Sequence, residues 1–202
     1  MGARRLLAGI ALLTAAGAWW ARKHPSACPY AARFFVEGPH PGIPRARLIE
    51  ALEPAPGEQI LEIGPGTGYY SLEVASRIDA GKLAIFDIQQ EFLDHTTTAA
   101  GERGLTNIEP AQGDARQLPY PDETFDGAFL VTVLGEIPDQ DAGLAELRRV
   151  LKPSGRLVVG ETFIGDPHVV TFGGLRERAE RAGLRFERRL GSPFGYFARF
   201  SK

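Results

Sequence analysis

Gly64, Gly66 and Gly68 stand at every second position behind an acid, Glu62, and close a short aliphatic run. Three missing Cβ atoms in a sharp turn let a ligand approach the backbone closely, so the turn reads as a pocket floor. Ile60, Leu61 and Ile63, bounded by Pro56, Gly57 and Gly64, suit a buried parallel strand. A carboxylate is disfavoured inside such a strand. Glu62 is therefore expected to emerge at the sheet's carboxyl edge, where open α/β sheets bind ligands. A second acid, Asp87, ends the next aliphatic run 19 residues after Gly68. That is about the spacing at which a carboxylate accepts the ribose hydroxyls of an adenosine. The competing reading of Asp87 is a helix cap before Gln89, Gln90 and Glu91. Ile88 is placed to lie against an adenine face.

Spacing separates this turn from other glycine-rich loops. The dinucleotide fingerprint counted from Gly64 needs a third glycine at position 69, which is Tyr69, and no Gly-Lys-Ser/Thr follows. A nicotinamide oxidoreductase, which needs that spacing, is disfavoured. The E-x-G-x-G-x-G pattern from Glu62 to Gly68 resembles the first motif of the class I S-adenosylmethionine-dependent methyltransferases, whose cofactor carries no phosphate. Gly113, Asp114 and Ala115 match the family's G-D-A segment after the third strand. Phe125 and Asp126 open a strand resembling its F-D-x-x-x strand. The L-R-R-V-L-K-P-S-G-R-L-V-V run resembles its L-K-P-G-G stretch, with Ser154 for the usual glycine.

The resemblance covers roughly residues 45–200 and implies a doubly wound, mostly parallel seven-stranded α/β sheet, the Rossmann-like methyltransferase fold, with its final strand antiparallel. It implies S-adenosyl-L-methionine as cofactor, held by Glu62, Gly64, Gly66, Gly68, Asp87, Ile88, Asp114, Ala115 and Thr132. Asp114 would accept from the adenine amine, and the Ala115 N–H would donate to a ring nitrogen. The implied reaction is in-line transfer of a sulfonium methyl, in which the protein mainly positions and dehydrates the reactants. Glu136 and His168, past the fourth and fifth strands, are expected near the methyl group as base or orienter. The alternatives are a surface or capping acid for Glu136 and a loop histidine beside Asp166 and Pro167 for His168. The V-L-G-E-I-P segment stands where base-amine methyltransferases carry Pro-Pro-Tyr, a departure from DNA methylation.

The elements that must position these residues follow from periodicity. Helices are expected over residues 45–52, over a segment with Leu72, Ala75 and Ile78 on one face, over 91–103, around Leu144, Leu147, Val150 and Leu151, and around Leu175, Ala179 and Ala182. Strands are expected at 83–86, 107–111, 125–133 and 156–160, with a closing pair at 184–190 and 194–200. Lys152, Pro153, Ser154 and Gly155 read as a turn.

With 202 residues and 44% hydrophobic content, the chain suits one domain plus an N-terminal extension. A net charge of −2 gives no phosphate-binding surface, so nucleic acid is not an expected partner. One cysteine, Cys28, excludes an internal disulfide and reads as an inert small residue, and four scattered histidines offer no metal site. Residues 1–24 read as a hydrophobic anchor helix, 25–44 as a proline, glycine and aromatic linker or lid, and 45–202 as the cofactor-binding domain. Within the anchor, Arg4 and Arg5 precede an apolar run of 16 residues, 6–21, which Arg22, Lys23 and His24 follow. Such a run reaches about 24 Å as a helix against a hydrocarbon core of about 30 Å. Trp19 and Trp20 suit an interfacial aromatic belt. A cleaved signal and a packed helix are the alternatives. Export would separate a methyltransferase from its cytoplasmic cofactor, so a membrane anchor with the catalytic domain in the cytoplasm is expected. In the linker, Tyr30, Phe34 and Phe35 are either a lid or a packing staple. The expected acceptor is lipid-like, an isoprenoid quinol or a phospholipid amine. A small soluble acceptor and a non-catalytic cofactor-binding scaffold are the other readings.

Overall fold

In the computed structural model, which describes residues 26–37, 40 and 42–202, the aliphatic runs form a seven-stranded sheet in the order β3-β2-β1-β4-β5-β7-β6. The strands are β1 (Gln59–Ile63), β2 (Lys82–Asp87), β3 (Ile108–Gln112), β4 (Phe125–Val131), β5 (Leu151–Thr162), β6 (Arg185–Ser192) and β7 (Gly195–Ser201). β1 to β5 run parallel, and β7 is antiparallel to both β5 and β6. The doubly wound sheet expected from the sequence is present. Among the described residues the α-helices are α1 (Phe34–Glu37), α2 (Arg45–Leu52), α3 (Ser71–Ala75), α4 (Gln90–Glu102), α5 (Gln140–Val150) and α6 (Phe172–Arg181).

Strand alternation decides the layers. β1 sends Ile60 into one core with Leu48, Val74 and Phe129, and Leu61 and Ile63 into the other with Leu130, Leu144 and Leu157. The chain leaves β1 towards β2 and β3, then returns on the other side of β1 as β4. The crossovers therefore diverge between β1 and β4, which opens a crevice at the carboxyl ends of these strands.

Three local expectations need correction. Glu62 does not emerge: it is 2% exposed, because β1 is paired on both edges through Glu62↔Ile85 and Glu62↔Phe129. It also shares the strand face of Ile60 that α3 covers. α3 stops at Ala75, where the Ser76 N–H bonds back to the Leu72 and Val74 carbonyls. Ile78 stays buried in the turn beyond it. The turn at Lys152, Pro153, Ser154 and Gly155 survives as a bulge inside a longer β5, between the pairs Phe125↔Leu151 and Gly127↔Arg156.

Among the described residues no helix is long and apolar enough to cross a membrane. The apolar run at 6–21, expected as an N-terminal hydrophobic helix, lies outside the described residues together with Trp19 and Trp20, and so does the Phe35 side chain.

Candidate active site at the carboxyl edge

The ends of β1, β2 and β4 and the segment after β3 surround a cavity of about 280 Å³. Its floor is the glycine turn. Gly64 has φ 69° and Gly66 φ 55°, a region that L side chains rarely adopt. A Cβ on Gly64 would overlap Val133, and the Gly66 carbonyl is fixed by the Thr96 hydroxyl at 3.0 Å. Gly68 also has positive φ but lies outside the cavity lining. A Cβ there would press on Thr96 at 3.2 Å, so this glycine serves the packing of α4 on the turn rather than the floor. Glu62 lies beneath the turn, also outside the lining, with no protein donor on its Oε2. Burial pushes its carboxyl up to about 8, against the Ser71 hydroxyl, which favours the charged form.

Asp87 stands on the cavity wall at the end of β2. Its Oδ1 accepts the Gln89 N–H at 2.8 Å. The cap position of α4 is Gln89, with no side-chain cap, so the capping reading of Asp87 fails. Burial raises the Asp87 carboxyl to about 6, opposed by the Gln89 and Ile88 N–H groups. Ile88 lines the same wall with 56% of its surface exposed, an apolar face open to a planar partner. Asp114, Ala115 and Arg116 close that side. Both Asp114 oxygens already accept from the Arg116 guanidinium, at 3.0 Å and 2.5 Å. An adenine amine would have to share that carboxylate with Arg116.

On the opposite wall, Thr132 has φ 58°, a conformation that costs a non-glycine residue about 1–3 kcal/mol and gathers at functional sites. Its N–H is held by the Gly160 carbonyl at 2.8 Å. One turn on, Glu136 enters the cavity. Burial pushes its carboxyl up to about 7; the Cys28 N–H opposes this, and the charges of Asp166 and Asp87 add to it. His168 does not join it. Its backbone carbonyl packs against Gly135, its N–H bonds to Asp166 at 2.7 Å, and it lies outside the lining. The expectation of His168 beside the reacting group is thus corrected: the loop after β5 passes behind the turn that carries Glu136.

The roof comes from residues whose pairing sequence reasoning missed. Ser26, Ala27 and Cys28 line the cavity as a strap. The Cys28 N–H donates to Glu136 Oε2 at 3.3 Å, Gln89 Nε2 donates to the Cys28 carbonyl at 2.8 Å, and the Tyr30 N–H donates to Gln89 Oε1 at 3.0 Å. Tyr30 packs on Phe92 beside the cavity rather than over it, and Phe34 is 62% exposed. Burial, then the Glu136 charge, pushes the Cys28 thiol up, which keeps it protonated and poorly nucleophilic. His40 completes the roof, its ring tilted by 39° against the Tyr69 ring at 4.2 Å. The crowding of Cys28, Pro29 and Tyr30 just ahead of the domain was the available signal. Nothing in it names Gln89 as partner.

The residues present fit a phosphate-free adenosine ligand. Lysine is absent from the lining, its single arginine is occupied by Asp114, and a carboxylate stands beside an exposed aliphatic face. Among the described residues no group of three or more His, Cys, Asp or Glu is arranged to hold a metal ion.

Residues 60–155 match the family described as a methyltransferase domain. The ubiquinone/menaquinone biosynthesis C-methyltransferase UbiE of Teredinibacter turnerae is 38% identical over 115 residues, which is 56% of this chain and 46% of that protein. A demethylmenaquinone methyltransferase of Deinococcus radiodurans is 37% identical over 117 residues, 58% of this chain and 48% of that protein. The chain thus spans about half the length of the curated relatives it matches. A S-adenosylmethionine-dependent methyltransferase structure from Aquifex aeolicus superposes with a TM-score of 0.73 at 21% identity, over 86% of this chain and 98% of that one. The [4+2]-cyclase SpnF superposes at 0.66 with 28% identity, over 72% of this chain and 57% of that one, so the fold alone does not fix the reaction. The matched segment is the one that builds the cavity floor and both of its walls, and over it the chain is similar to the class I methyltransferases, whose cofactor is S-adenosylmethionine.

Proposed function

We propose that the chain methylates a lipid-like acceptor drawn from a membrane, an isoprenoid quinol first and a phospholipid amine second. The cofactor supplies an activated methyl group, so the chain's task is to hold an acceptor against it, exclude water and take up a proton. The observation that carries the reading is Glu136. It is a carboxyl on the cavity wall, paired with no Lys or Arg among the described residues, and burial first, with the Asp166 and Asp87 charges adding, brings it to about 7. Such a group accepts a proton from a phenolic hydroxyl at neutral pH, which raises electron density on the ring carbon that takes the methyl. Ile63, Phe86, Phe92, Val131 and Ile137 give the cavity apolar walls suited to a ring. The quinone-pathway names of the relatives support the first class. The apolar residues 6–21 support a membrane source, with the domain on the cytoplasmic side where the cofactor is made.

Labelled S-adenosylmethionine tests this with the full chain and three acceptors: a quinol in vesicles, phosphatidylethanolamine vesicles, and a water-soluble short-chain quinol. Label on the ring carbon of the vesicle quinol is expected. Label in the phospholipid headgroup alone would move the acceptor to the amine class. Equal turnover on the soluble analogue after deletion of residues 2–24 would sink the membrane source.

A further inference from the structure

The large apolar side chains exposed among the described residues are Phe34, Ile88, Phe163, Ile164 and Phe194, between 44% and 62% exposed. Four of them share one edge. Ile88 follows β2, Phe163 and Ile164 follow β5, and Phe194 tips the β6–β7 hairpin, whose Gly195 pairs with Thr162 at the carboxyl end of β5. In the sheet order, β2 lies on one side of the β1–β4 crevice and β5 and β7 on the other, so these residues flank the cavity mouth. The two turns on the β5 side are tied into one patch. The Phe163 N–H donates to the Phe194 carbonyl at 2.9 Å, and the Thr162 hydroxyl donates to the same carbonyl at 3.2 Å. Residues 162–165 and 191–195 carry no charged side chain. Phe34 belongs to the strap side, where the Arg33 guanidinium lies over both the Tyr30 and Phe34 rings.

We propose that this rim rests in the headgroup region of a lipid bilayer, with the cavity mouth facing the acyl chains. Contiguous exposed apolar surface on a folded domain marks an interaction site, and the chain itself indicates which kind. The strap begins at Ser26, which lines the cavity, and the apolar run ends at Ala21 with Arg22, Lys23, His24 and Pro25 between. A fully extended chain rises at most ~3.6 Å per residue, so the cavity mouth stands within about 18 Å of the end of that run. A bilayer that takes up residues 6–21 therefore lies beside this rim. Basic residues follow the run at the headgroup level, and aromatic and aliphatic side chains partition into the interface next to them. The inference rests on the acceptor being drawn from a membrane, and it adds the route by which an acceptor too apolar for water reaches the cavity.

The test is photolabelling of the full chain on vesicles of phosphatidylcholine and phosphatidylglycerol carrying a diazirine phospholipid, with adducts mapped by mass spectrometry. Adducts are expected in peptides spanning 162–165 and 192–196, and not in those around Lys82 at the opposite edge. The triple variant Phe163→Ser, Ile164→Ser, Phe194→Ser should lose the rim adducts by at least about tenfold, since each change removes exposed apolar area that the bilayer would cover. Its adducts within residues 1–25 should be unchanged. Adducts confined to residues 1–25, adducts spread evenly over the domain, or protein-to-protein adducts between two copies at the rim would each overturn the proposal. Calorimetry with S-adenosylhomocysteine on the same samples reports folding and keeps the two readings apart. A domain that binds it without rim adducts overturns the rim alone, whereas rim adducts without methyl transfer overturn the acceptor alone.

Discussion

The two edges of the sheet treat their carboxylates in opposite ways. At the amino edge Glu53, Glu58 and Asp126 each meet a cation. Arg156, 8% exposed, pairs with Glu58 at 2.6 Å and 2.8 Å and donates to the carbonyls of Leu52, Glu53 and Asp126. Asp126 is held low against its burial by Lys152 and the Gln59 N–H. Glu53 is held low by Arg188 and Arg199. At the carboxyl edge, burial raises Glu62, Asp87, Glu136, Glu161 and Asp166, and no cation is paired with Glu62, Asp87, Glu136 or Glu161 among the described residues. Asp114, clamped by Arg116, is the exception. One edge satisfies its charges within the fold, and the other leaves acids that take up protons or await donors from a bound molecule. The same chemical group fastens the domain at one end of a strand and is held ready for chemistry at the other.

Breaking the amino edge should have the largest effect. Arg156→Ala strands a part-buried Glu58 and three carbonyls, so stability should fall by about 3–5 kcal/mol, read as a lower urea midpoint. The fraction that remains folded should bind S-adenosylhomocysteine as before; normal stability in this variant would erase the contrast between the edges. Next comes Glu136→Gln, expected to lower kcat about a hundredfold and leave KM nearly unchanged. In the native chain a base that titrates near 7 makes kcat rise with pH through that value. A variant that keeps this rise would remove Glu136 as the base. Asp87→Ala should weaken S-adenosylhomocysteine binding by about 1.5–3 kcal/mol, the range for hydrogen bonds to a charged group, which calorimetry can measure.

The smallest effect is expected at Glu62, and it is one of pH. Its folded-state carboxyl titrates at about 8, above the value of about 4.3 in an unfolded chain. The folded protein therefore binds the extra proton across that window, and the stability this gives is full below about 4.3 and is lost as pH rises through about 8. Glu62→Gln should flatten that decline and make the protein more stable than the parent at pH 8. An unaltered decline would place the titrating group elsewhere.

These contrasts also show what a one-dimensional reading can reach. The succession of strands along the chain, the glycine turn and the place of Asp87 at the end of a strand were legible because each follows from local periodicity and a fixed spacing. Glu62 was misplaced because its burial depends on β2, β4 and α3, all of which cover β1 to its last residue. Gly68 looked like cavity floor because its reason, Thr96, lies a helix away. His168 and Glu136 looked equivalent at the ends of adjacent strands, and only the path of the loop after β5 separates them. The strap left no periodic trace, since Cys28 meets Gln89 and Glu136 across more than sixty residues.

Gln89 holds two things at once. Its N–H steadies the carboxylate of Asp87, and its side-chain amide grips the strap at Cys28 and Tyr30. A molecule seated on Asp87 would lie beside a strap held by the same residue, so its release would depend on that clasp as well as on its own contacts. Turnover would then keep the pace of a hydrogen-bonded hinge at the cavity mouth. On the proposed acceptor, such timing would hold the used cofactor in place while the methylated product leaves.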